Sequence, residues 1–185
     1  MFIQTEDTPN PSTLKFVPGV PVMKKGTAAF AKLADCGKSP LAQKLFEQGQ
    51  VNGVFFGSNF ITVTKSEDIS WEHLKTDILA IIMDHFVAGG EVVLEDKTTD
   101  AAQAINEDDS EIVKQIKELL EERVRPAVAM DGGDIIFHKY EDNVVYLEMH
   151  GACSGCPSSA VTLKDGIENM LKHFVPEIAR VEPVQ

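Results

Sequence analysis

Residues 96–110 read DKTTDAAQAINEDDS, and this stretch limits the possible folds more than any other. It is polar and small, has no aromatic residue, and shows no apolar stripe. With nothing to bury, it reads as a solvated, flexible linker. The chain of 185 residues is thereby split into two parts, each of workable domain size. The expectation is two small α+β domains, 1–95 and 111–185, joined by the linker 96–110.

Local patterns fill in both parts. Thr13–Val17 is a strand candidate stopped by Pro18 and Gly19, and 26–35 is ambiguous between strand and helix. Ser39-Pro40 forms an N-cap followed by proline at the first helical position, with Leu41, Leu45 and Phe46 facing inward. Val51–Phe56, the turn 57–59 and 60–64 form a hairpin of β-branched and aromatic residues. Trp71, Leu74, Ile78, Ile82 and Phe86 recur at helical spacing until Gly89-Gly90. In the second part, Ile112, Val113, Ile116, Leu119 and Leu120 make one helical stripe. The turn Met130-Asp-Gly-Gly-Asp134 calls for a positive φ. Two strands, 135–140 and 144–150, precede a loop, a helix carrying Leu163, Ile167 and Leu171, and a final strand at 179–184.

Charge excludes several function classes. There are 17 Lys and Arg against 29 Asp and Glu, a net −12 that divides into −6 for residues 1–108 and −6 for residues 109–185. A nucleic-acid or anionic-membrane binder needs clustered cations that are missing here. The longest apolar run, ILAIIM at 78–83, is far too short to span a bilayer. The start, MFIQTEDTPNPS, resembles neither a secretion signal nor a transit peptide. The expected compartment is therefore a bacterial cytoplasm, with the mitochondrial matrix as the alternative. Three cysteines in a chain of this size argue against a disulfide framework.

Two of those cysteines stand together as Cys153-Ser-Gly-Cys156. This spacing aims both sulfurs at one point, which suits a metal or a reversible disulfide. The loop precedes a helix, whose N-terminal amides favour negative charge, so both thiols are expected to ionise more readily than free cysteine. Three chemistries compete. An iron–sulfur cluster takes four thiolates, so two chains would each donate Cys153 and Cys156 across a symmetric interface. Structural zinc faces the same shortage. A thioredoxin-like dithiol needs only two cysteines, but too little chain follows Cys156 to complete that domain. Spacing alone leaves cluster and zinc balanced.

Longer motifs tip the balance. Gly151-Ala-Cys153-Ser-Gly-Cys156-Pro-Ser-Ser159, preceded by Met130-Asp-Gly-Gly-Asp134, resembles the C-terminal NifU-like domain of Nfu-type iron–sulfur proteins. Thr8-Pro-Asn-Pro11, Leu14-Lys-Phe16, Ser39-Pro-Leu-Ala42, Val54-Phe-Phe-Gly57 and Phe60-Ile-Thr-Val-Thr-Lys65 resemble the N-terminal domain of the two-domain members. The resemblance implies a scaffold or carrier, not an enzyme. It implies a labile [4Fe–4S] cluster held between two subunits by Cys153 and Cys156, with a transient [2Fe–2S] form as the alternative. The chain would be a homodimer through its C-terminal domain when loaded. Upstream cluster assembly proteins and client apoproteins would be its partners.

The remaining candidates read as structural. Cys36 has no neighbouring cysteine or histidine and is expected to be a bystander thiol. His150 departs from the neutral polar residue expected before the glycine-led loop, and reads as half-exposed, not as a ligand. Asp131 and Asp134 are expected to cap their own turn. No catalytic triad, phosphate loop or dinucleotide fingerprint is present.

Overall fold

The computed structural model describes residues 2–94, 105–106, 108–154 and 157–184. The expected linker at 96–110 lies largely outside the described residues. On either side of it stands one sheet with its own helices and its own core, an α+β arrangement in two domains.

In the N-terminal half, strands β1 (Gln4–Asp7), β2 (Thr13–Val17), β3 (Ala28–Phe30), β4 (Val51–Phe56) and β5 (Ile61–Lys65) form an antiparallel sheet in the order β1-β2-β5-β4-β3. The pairings Leu14↔Val63, Phe16↔Ile61, Val54↔Val63 and Phe56↔Ile61 set two rows of apolar side chains on the inner face. Helices α1 (Pro40–Phe46) and α2 (Trp71–Val87) supply Leu41, Leu45, Leu74, Ile78 and Ile82 to the same core. The ambiguous segment at 26–35 resolves into β3 and a 3-10 turn at Leu33–Cys36.

The outer face of this sheet departs from the usual one-wet-face pattern of antiparallel sheets. Lys15 and Phe55 both pair with Thr62, making a row across β2, β5 and β4. That row is 8%, 2% and 1% exposed at Lys15, Phe55 and Thr62. Phe60 is buried as well, yet neither it nor Phe55 belongs to the inner core. The C-terminal domain covers Lys15, Phe55 and Thr62.

That domain opens with α3 (Glu111–Leu119), capped by Ser110, whose Oγ accepts from Val113 N. The helix widens into a π-turn over Leu120–Val124 and resumes as α4 (Arg125–Met130). Pro126 explains the break, since it has no N–H to continue the regular ladder. Strands β6 (Gly133–Glu141) and β7 (Val144–Gly151) form a hairpin turned by Asp142 and Asn143 at φ 51° and 61°. After α5 (Pro157–Phe174), strand β8 (Arg180–Val184) pairs parallel to β7. Ile116, Leu120, Ile135, Leu147, Leu171 and Val181 are fully buried between helices and sheet.

The buried cap of α1 carries a stability prediction. Ser39 Oγ accepts from Ala42 N at 3.1 Å and donates to the Val92 carbonyl at 2.6 Å. Ser39→Ala removes the cap and strands a buried carbonyl, so denaturant unfolding should show a loss of about 1–3 kcal/mol. Ser110→Ala at the exposed cap of α3 should lose less than Ser39→Ala.

Candidate metal centre

Cys153 sits just past the end of β7, in the loop that runs toward α5. Its seat is made by glycine. Gly133, the first residue of β6, pairs with Gly151, the last of β7. A Cβ at Gly133 would overlap Cys153 Sγ and lie 2.7 Å from the His150 carbonyl. The sulfur therefore occupies the place a side chain would take. Gly151 holds φ +65°, and a Cβ there would lie 2.6 Å from Gly132 O. Gly132 itself holds φ +83°, meeting the expected positive φ of the turn. A donation from Ala152 N to Gly132 O, 3.1 Å, ties the cysteine loop to that turn.

Cys153 is 5% exposed and packs with the C-terminal core. It also lines a cavity of about 650 Å³, walled by Arg123, Val124 and Ala127 of the π-turn and α4 and by Leu163, Ile167 and Met170 of α5. Asp131 and Pro9 stand at the same cavity. Cys156, the second expected ligand, lies outside the described residues. Among the described residues no group of three His, Cys, Asp or Glu side chains converges on a point.

The expected easy ionisation does not hold for Cys153. Burial first, then the charges of Asp131 and Asp134, push its thiol up to about 12. Desolvation and two carboxylates all favour the protonated thiol, and α5 begins only at Pro157, four positions on. A metal replacing that proton would stabilise the thiolate that burial disfavours.

Asp134 does not simply cap its turn as expected. Arg125 Nε and Nη2 donate to its two oxygens at 2.9 and 3.0 Å, and Thr27 Oγ1 of the N-terminal domain donates to Oδ2 at 2.9 Å. The carboxylate holds the Arg125 guanidinium firmly charged, with Glu121 adding to the effect. No sequence signal pointed to the pairing of Arg125 with Asp134, which lies across the turn, whereas Glu121 sits four positions back on the same helical run.

His150 stacks on Phe55 with ring centroids 6.5 Å apart. Its Nε2 lies 3.3 Å from Glu148 Oε1, an ion pair when the ring is protonated, and makes no hydrogen bond. The ring belongs to the contact between domains. Cys36 is fully buried in the other core, where its Sγ donates to Lys32 O at 3.4 Å.

Two predictions arise here. Gly133→Ala forces Cys153 from its seat, so melting should report overpacking of about 1–3 kcal/mol and Cys153 should react faster with a thiol reagent. Burial and Asp35 raise the Cys36 thiol from 9.0 to about 11. The protonated thiol's contribution is fully present below pH 9.0 and is lost as pH rises through about 11, because the unfolded thiol ionises first. Stability measured from pH 8 to 11.5 should therefore fall less steeply in Cys36→Ser than in the parent chain.

Comparison with known proteins matches both halves. The family described as "Scaffold protein Nfu/NifU N terminal" matches residues 3–89, and the "NifU-like domain" matches residues 116–182. The Arabidopsis thaliana protein named "NifU-like protein 5, mitochondrial" is 54% identical over 185 residues, covering 98% of this chain and 67% of its own length. The Homo sapiens protein named "NFU1 iron-sulfur cluster scaffold homolog, mitochondrial" is 51% identical, with 100% and 72% covered. The Drosophila sechellia protein of the same name is 53% identical, with 100% and 65% covered. These names overturn the expectation of a bacterial cytoplasm. The first residues of a chain spanning 65–72% of such relatives carry no information on compartment. With each half matched in order, the chain belongs to the Nfu family of iron–sulfur cluster scaffold proteins.

Proposed function

We propose that this chain carries a labile [4Fe–4S] cluster in the mitochondrial matrix, bound between two copies by Cys153 and Cys156 of each. The observation supporting this most directly is the glycine seat that holds the Cys153 sulfur at the wall of a 650 Å³ cavity. A cluster takes four thiolates, and this loop offers two per chain, so a symmetric pair completes the set. The Homo sapiens relative's name, an iron-sulfur cluster scaffold homolog, supports an iron–sulfur cargo for this chain.

The cluster is cargo in this reading, received from upstream assembly proteins and passed to client apoproteins. Two half-sites joined only through the metal hold it less firmly than a client's own four-ligand site. Transfer then needs no turnover chemistry, and no catalytic residue is assigned. The limits 1–95, 96–110 and 111–185 belong to the same reading, with the cysteine pair confined to the last segment.

Anaerobic reconstitution with iron and sulfide, followed by absorption spectroscopy and sizing, tests it. A brown dimer with about four irons per pair is expected. Cys153→Ser and Cys156→Ser should each abolish uptake, while Cys36→Ser should leave it intact. A colourless zinc dimer, or a monomer with a titrating dithiol, would replace this function with another.

A further inference from the structure

The N-terminal domain lies directly on the cysteine loop. Asn10 Nδ2 donates to the carbonyl of Ser154, the residue after Cys153, at 3.3 Å. Pro9 lines the cavity that Cys153 faces. Behind this loop, Lys15 Nζ donates to the carbonyls of Ala129 and Met130 at 3.3 and 3.0 Å, at the C-terminal end of α4. Phe55 stacks on His150, and a Cβ at Gly151 would lie 3.0 Å from its ring. A Cβ at Gly132 would lie 2.8 Å from Thr62 Cγ2.

The contact is close, yet incompletely satisfied. Thr62 Oγ1 is buried without a hydrogen-bond partner and His150 Nε2 has only Glu148 Oε1 at 3.3 Å, and both lie where the two domains meet. Each would regain water if the domains parted. The contact is made by hydrogen bonds from Asn10, Lys15 and Thr27 and by one aromatic stack, a more polar seam than either hydrophobic core.

We propose that the N-terminal domain is a cap, which shuts Cys153 away when docked and must swing aside before the cysteine loop can meet a second chain. The proposal's second half rests on the reading of Cys153 as a ligand shared between copies; its first half does not. Docking would keep an empty loop from reacting with stray metal or oxidant.

The test uses the full, metal-free chain carrying Cys36→Ser and Cys156→Ser, so that Cys153 is the sole thiol. Its rate of reaction with monobromobimane is measured alone, with Lys15→Gln, with Asn10→Ala, and with Phe55→Ser plus Lys15→Gln. Far-UV circular dichroism checks that the sheets persist, and small-angle scattering reads the separation. The double variant should react about tenfold faster or more and scatter as a larger particle, as expected when a closed form gives way to an open one. Lys15→Gln and Asn10→Ala, which spare the aromatic contact, should give smaller increases. An unchanged rate in every variant overturns the cap, whether or not the scattering expands. Because no iron is present, this outcome is independent of ligation. A chain whose Cys153 opens as expected, but whose Cys153→Ser form still takes up a cluster, would sink the ligand assignment alone.

Discussion

Three glycines let backbone and sulfur approach where no side chain could stand. Gly133 makes room for Cys153 Sγ, Gly151 for the Gly132 carbonyl, and Gly132 for Thr62 and Lys15 of the other domain. Neighbouring positions thus serve opposite sides: Gly133 faces the cysteine, and Gly132 faces the N-terminal sheet. Both the seat of the thiol and the contact between domains depend on that turn. Close packing makes the arrangement intolerant of even one added carbon.

Electrostatics around the turn pull in two directions. Asp134 is held by Arg125 and Thr27, and a buried ion pair of this kind is costly to break from one side. The same carboxylate, with Asp131, disfavours the thiolate of Cys153. An apo loop with a protonated, shielded thiol is chemically quiet. In the proposed role the cluster's iron supplies the positive charge that the protein withholds, so the site is reactive only toward its cargo.

Much of this was legible residue by residue. The Ser39-Pro40 cap, the hairpin of Val51–Phe56 and β5, the stripe of α2 and the turn before β6 depend on neighbours within a few positions, and each was found where expected. The misses depend on partners far away in sequence. β1 is a short polar strand, QTED, at the edge of its sheet beside β2, and its own residues gave no apolar alternation. The π-turn hides in a stripe that continues smoothly through Pro126. Lys15, Thr62 and Phe55 sit on what period-two alternation assigns to solvent, and only a second domain explains their burial.

The cysteine pair followed the same rule. Spacing alone identified Cys153 and Cys156 as a candidate metal-binding pair, and the flanking glycines as its companions, because those demands are local: two sulfurs three positions apart and a backbone free of side chains. Local sequence also suggested an acidified thiol, and there it failed. Whether Cys153 meets a helix dipole or an apolar core with two carboxylates is decided by how β6, β7 and α4 fold together. Desolvation and long-range charge are properties of the packed molecule, and here both raise the Cys153 thiol. Local chemistry was thus written in the chain, while exposure, charge environment and the domain lying over the loop came only with tertiary structure.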